Sequence, residues 1–239
     1  MLTQKIISKF NDNAKNNSIE THEHFPTFYH YGKKCKRIVE MGVLHGWSCW
    51  AWLACDPDYL RGVDVDEHNR ANITEIEEAA VEAGVDFKFE LADTSHGKLK
   101  YIEENFHPQH PIAGPGGIYH TRPPYIMEDN IDMLYIDTYH SYTQLRAELF
   151  IHGPKVNKYI SFHDTAKTAY GEQCRFDGDK GLNYAIDEFM EAYPNWKKIF
   201  SVEYSYGCTV IANTDNVDDP VIADIEHRFP MPNLTTESN

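Results

Sequence analysis

Two short runs hold the residues best suited to work together chemically. One is Ile136-Asp137-Thr138-Tyr139-His140-Ser141-Tyr142, and the other is His163-Asp164-Thr165. Carboxylates set beside imidazoles can hold a divalent cation, and a neutral imidazole can take the proton of a nearby hydroxyl. Each run ends an apolar, β-branched stretch, Asp132–Asp137 and Tyr159–His163, that reads as a strand. If the two strands are neighbours, their ends lie about 5 Å apart, so Asp137 and Asp164 could share one cation. His140, three residues past Asp137, faces the same crevice. His163 and Asp164 are adjacent, and in an extended strand they would point to opposite faces. Both can reach one metal only if the chain leaves the strand there. A plainer role for Asp137 is helix N-cap or loop anchor.

A third run, Glu40-Met-Gly42-Val-Leu-His-Gly46-Trp-Ser48, follows the candidate strand Arg37–Met41. Glycines just past a strand end let the backbone turn and let a ligand come close. The Glu-x-Gly-x-x-x-Gly spacing differs from the Gly-x-Gly-x-x-Gly of dinucleotide sites, so a nicotinamide oxidoreductase is disfavoured. An acidic residue here repels phosphate and favours a cationic group. Candidate strand Leu60–Asp64 leads into Asp64-Val-Asp66, and an acidic side chain there can accept bonds from two ribose hydroxyls. Asp64 is the first choice, and Asp66, on the same face, is the second. Asp93, after Asp86–Leu91, is placed to reach an adenine amine. The plain alternative is that these glycines only make turns.

The elements positioning these groups alternate. Helices are expected at Trp47–Ala54, Glu67–Glu82, Ser95–Glu104 and Tyr142–Ile151, between the five strands. Such alternation predicts a parallel sheet covered on both faces. Lys180–Tyr193 reads as a further helix, and Trp196–Tyr204 with Gly207–Ala212 as an antiparallel hairpin. Residues 1–30 are expected to form a helical cap, 31–212 the main domain, and 213–239 an acidic tail whose composition allows partial disorder. Residues 106–130, rich in Pro, Gly and His, read as an inserted loop or lid. His107, His110 and His120 in it are a weaker metal-site candidate than a solvated loop.

The net charge of −15 (22 basic against 37 acidic residues) argues against nucleic acid and anionic membrane as partners. Five scattered cysteines without a CxxC read as free thiols, and the N-terminus has no apolar signal core, so a cytoplasmic protein is expected.

The Glu40–Gly46 run resembles motif I of class I methyltransferases, with Asp64 in the motif II position. The resemblance implies a single Rossmann-like α/β domain: a mostly parallel seven-stranded sheet, one antiparallel C-terminal hairpin, and helices on both faces. It also implies that S-adenosylmethionine is the cofactor, with Glu40, Gly42 and Gly46 around its methionine part, Asp64 on ribose and Asp93 near adenine. The strand-four and strand-five runs resemble a narrower group, the metal-dependent sugar and macrolide O-methyltransferases with cephalosporin hydroxylase-like proteins. That group implies Asp137 and Asp164 as magnesium ligands, His140 as general base, self-association, and a glycan or glycosylated metabolite as methyl acceptor. His163 stands where some members have Glu, which makes it a candidate third ligand, and an imidazole there draws the preference towards manganese or iron. The alternative from another class is a non-haem iron oxygenase using His140, His163 and Asp137 or Asp164. A non-catalytic protein that kept the cofactor fold is a further alternative.

Overall fold

A computed structural model describes residues 2–96, 122–173 and 180–236. The expected helix Ser95–Glu104 beyond residue 96, most of the 106–130 loop, the three loop histidines and Cys174 lie outside the described residues. Two helices open the chain, α1 (Gln4–Asn13) and α2 (Phe25–Gly32). Next come β1 (Arg37–Met41), α3 (Trp47–Ala54), β2 (Tyr59–Asp64), α4 (Arg70–Ala83) and β3 (Asp86–Leu91). β4 (Ile131–Ile136), α5 (Tyr142–His152), β5 (Val156–His163), α6 (Leu182–Ala192), β6 (Trp196–Val202) and β7 (Cys208–Asn213) complete the fold. The expected α4 start at Glu67 moves to Arg70, because Asn69 caps the helix by accepting from the Asn72 N–H at 3.2 Å.

The seven strands are ordered β3-β2-β1-β4-β5-β7-β6. Pairing is parallel from β3 across to β5, and β7 joins β5 and β6 antiparallel. This is the expected layout. The central strands are apolar on both sides, as a sheet covered on two faces requires. Ile38 of β1 enters one core with α1–α4, while Val39 and Met41 enter the other with α5 and α6. The order reverses direction between β1 and β4, which opens a crevice at the C-terminal strand ends. Asp137 stands just past β4, next to the loop that leaves β1.

The segment after β7 is mostly exposed but touches the rest of the fold at several points. It runs beside the edge strand β6, where Ile222 N–H donates to the Ile199 carbonyl at 2.7 Å. Val217, Ile222, Phe229 and Leu234 pack on the core, and Lys34 pairs with Asp219 at 2.5 Å. Apolar side chains spaced through a polar sequence touch the core at these points. Among the described residues no helix is long and apolar enough to cross a membrane.

Candidate functional site

β4 and β5 are neighbours, and they bring Asp137, His140, His163 and Asp164 together. Ligand atoms of Asp137, His163 and Asp164 all lie within 4.8 Å of one another. His163 Nδ1 is 2.9 Å from Asp164 Oδ2 and 3.6 Å from Asp137 Oδ2. His140 Nε2 is 2.9 Å from the same Asp164 oxygen and 3.4 Å from Asp137 Oδ1. Adjacent residues share the site because the chain leaves the strand: Asp164 has φ +59°. That left-handed turn swings its carboxylate to the side that His163 faces.

Burial opposes charge on all four groups, but their mutual attraction wins. The charges of His163 and His140 hold Asp164 well below the usual carboxylate range, and Asp137 is lowered by the same two neighbours. Burial would lower His140, yet Asp164 and Asp137 hold it at about 10, and His163 is raised well above its ordinary value. Without a cation, the two imidazoles carry protons into the space between the carboxylates. The Tyr135 hydroxyl donates to Asp137 Oδ2 at 3.0 Å. Tyr170 lies against His140, with ring centroids 4.6 Å apart. The Tyr142 hydroxyl donates to Glu188 of α6 at 2.6 Å.

Beside this cluster, the Glu40–Gly46 loop is held by its own acidic residues. Glu40 is fully buried and turned towards α3, accepting bonds from the Ser48 hydroxyl and, at 2.9 Å, from Cys49 Sγ. Burial raises its pKa to about 8, against the pull of those two bonds. Burial and the neighbouring Asp137 and Asp64 carboxylates oppose its charge, while the Ser48 and Cys49 bonds favour it. Gly42 has φ +85°, and a Cβ there would sit 1.9 Å from the Asp137 carbonyl oxygen. Gly46 has φ +75° and is crowded by Ile73 and Ile76 of α4. Both glycines therefore serve close packing of protein on protein at the crevice.

Asp64 Oδ2 accepts from the Val43 and Leu44 N–H groups at 2.9 and 2.8 Å, and its Oδ1 accepts from Asp66 N–H at 3.1 Å. It clamps the loop. Asp66 accepts from Glu67 N–H at 2.7 Å. Asp93 is buried and folds back on Ser95, taking its N–H at 2.8 Å and its hydroxyl at 2.7 Å.

One buried group had no signal in the sequence. Glu148, on α5, accepts from Thr94 after β3 at 2.5 Å, from Thr138 after Asp137 at 2.8 Å, and from Gln144 at 2.5 Å. It ties the exits of β3 and β4 together. Glutamate in an amphipathic helix ordinarily reads as a solvent-facing residue, so only the neighbours betray it.

No protein-family model matches the sequence, and no curated protein matches it. Solved structures do. One is the O-methyltransferase TomG from Streptomyces achromogenes, involved in tomaymycin synthesis and solved with S-adenosylmethionine. It is 12% identical, with 89% of this chain and 91% of that one covered and a TM-score of 0.52. An O-methyltransferase from Bacillus cereus in complex with S-adenosylhomocysteine is 15% identical, covering 89% and 92%, with a TM-score of 0.51. A methyltransferase from Geobacter sulfurreducens is 10% identical, covering 88% and 89%, with a TM-score of 0.50. The chain has the Rossmann-like fold of these methyltransferases, and this likeness lends the iron oxygenase reading no support.

Proposed function

We propose that this chain is an S-adenosylmethionine-dependent O-methyltransferase that methylates a hydroxyl of a sugar or other polyhydroxylated small molecule with the help of a divalent cation. One observation carries the reading. At the point where the strand order reverses, the Glu40–Gly46 loop with its Asp64 clamp and the Asp137–His140–His163–Asp164 cluster both lie at the C-terminal ends of neighbouring strands. A nucleoside cofactor and a hydroxyl acceptor can meet there.

The donor set fits a cation: two carboxylate oxygens and one imidazole nitrogen, with the other nitrogen of His163 donating to the Ser205 carbonyl at 3.1 Å. Asp137, Asp164 and His163 would hold it. Hard oxygens suit magnesium, and the imidazole admits manganese or iron. The ribose hydroxyls fall to the Asp64–Asp66 pair, with Asp66 carrying fewer backbone donors than Asp64. Gly42 and Gly46 keep the loop close to the methionine end, Glu40 holds the loop from behind, and Asp93 shapes the adenine end through Ser95.

The cofactor supplies a methyl carbon on a sulfonium, and the cation acidifies and orients the acceptor hydroxyl. With the cofactor bound, the acceptor oxygen would take the methyl group, and S-adenosylhomocysteine would leave. The hydroxyl proton passes to His140 Nε2. Asp137 and Asp164 lie against His140 Nε2, and a cation held by them would balance their charge and leave that nitrogen able to take the proton. Association of like chains and a cytoplasmic setting belong to the same proposal.

Calorimetric titration with S-adenosylhomocysteine tests the cofactor half. Binding is expected, weakened about tenfold or more by Asp66→Ala. Absence of heat and of any retained nucleoside sinks it. Methyl transfer from labelled S-adenosylmethionine to a panel of glycosylated metabolites tests the rest, with activity expected to vanish on chelation and return with magnesium or manganese.

A further inference from the structure

His163 is itself held by a second imidazole. His24, just before α2, is fully buried, and its ring meets His163 edge-on at 5.4 Å. The Nε2 atoms of His24 and His163 lie 3.0 and 3.1 Å from one atom, the Ser205 carbonyl oxygen. A carbonyl only accepts, so both nitrogens carry hydrogen. That leaves Nδ1 as the His163 atom facing Asp137 and Asp164.

The residue type at position 24 is informative. His24 stacks on Tyr204, with centroids 5.1 Å apart, and lies against Phe28 at 6.2 Å. Phenylalanine could make those contacts. Histidine instead buries an Nδ1 that has no partner among the described residues, which is destabilising. What its ring adds over an apolar one is the N–H given to Ser205.

The carbonyl that receives both rings belongs to a strained turn. Ser205, Tyr206 and Gly207 have φ values of +46°, +64° and +90°. Two consecutive non-glycine residues in that region need outside support. Glu23 accepts from the Ser205 hydroxyl and, at 2.5 Å, from Arg228 of the tail. Ala166 N–H donates to the Tyr206 carbonyl at 2.8 Å. His163 pairs with Cys208 across the sheet, so this turn lies directly beyond it.

We propose that His24, acting through the Ser205 carbonyl, is a positioning residue that fixes the His163 ring with Nδ1 presented to the Asp137–Asp164 pair. Its consequence for metal binding rests on the function proposed above; its geometry does not. The test uses the full chain and two measurements. Exchange of the His163 ring N–H, followed by nitrogen-15 NMR, is expected to be slow in the parent and clearly faster in His24→Phe. Manganese binding, followed by electron paramagnetic resonance, is expected to weaken about tenfold in His24→Phe, with S-adenosylhomocysteine affinity unchanged. Should His24→Phe fail to fold, His24→Gln and His24→Met compare similar shapes with and without a donor. Gln is expected to keep slow exchange and Met to lose it. Equal exchange in the donor and non-donor variants overturns the proposal. A parent protein that binds no manganese but shows these exchange differences overturns the metal reading and leaves the positioning role standing.

Discussion

Asp164 combines two demands on one residue, a left-handed backbone at φ +59° and a buried carboxylate shared by two imidazoles. The two demands separate by substitution. Glycine relieves the backbone and alanine does not, so Asp164→Gly should be about 1 kcal/mol more stable than Asp164→Ala in urea unfolding. Both should lose metal binding alike. If alanine is the more stable, the backbone at this position is not strained. Gly42 is a sharper case. A methyl group there meets the Asp137 carbonyl at 1.9 Å, so Gly42→Ala should cost about 3 kcal/mol or more, or prevent folding. A near-neutral urea midpoint would show that the two loops are not in contact. The acidic and histidine residues of the site were legible as types at strand ends. Whether His163 and Asp164 could act together was not, because it depends on one backbone angle that no periodicity encodes. The bonds on Ser205 were hidden for a related reason, since a main-chain carbonyl carries no residue-type signal.

At the scale of elements, the crevice is bounded by loops tied to helices through buried carboxyl groups. Glu40 joins the end of β1 to α3, and Glu148 joins the exits of β3 and β4 to α5. Burial raises Glu40 from the ordinary 4.5 to about 8 and Glu148 to about 7. A raised carboxyl keeps in the folded state a proton that the unfolded chain releases. Its stabilising share is therefore complete below about pH 4.5 and is lost as pH rises through the folded value. Replacing Glu148 by Gln should flatten the decline in stability between about pH 5 and pH 7, by up to roughly 1.4 kcal/mol for each pH unit. Urea midpoints of parent and variant at both ends of that window measure it. Parallel pH profiles would mean that Glu148 is ionised in the fold. β1, β3 and α3 match the sequence reading residue for residue, since apolar runs and glycines mark them clearly. The partners of Glu40 and Asp64 escaped it. A motif shows which residues recur, but not that an acidic one also holds its own loop.

For the whole molecule, alternating strands and helices followed by a hairpin were enough to give the sheet and its direction changes. The contacts of the tail were not legible, because its apolar residues Val217, Ile222, Phe229 and Leu234 are too widely spaced to form a periodic element. These anchors cover β6, which is otherwise an open edge. Removing residues 219–239 should lower the melting temperature and bare an edge that pairs with other chains. Light scattering is expected to show concentration-dependent aggregates, and a monodisperse, equally stable truncation would show that the tail does not protect the edge. The Ser205 turn has a consequence in time as well as space. His24 meets Ser205 across 181 residues of chain, and Glu23 meets Arg228 across 205. Such distant pairings close late. During synthesis the sheet can begin to assemble from its parallel strands, but the seat of His163 must wait until Ser205 and Arg228 have emerged. In refolding experiments, manganese capture should therefore lag behind the recovery of secondary structure.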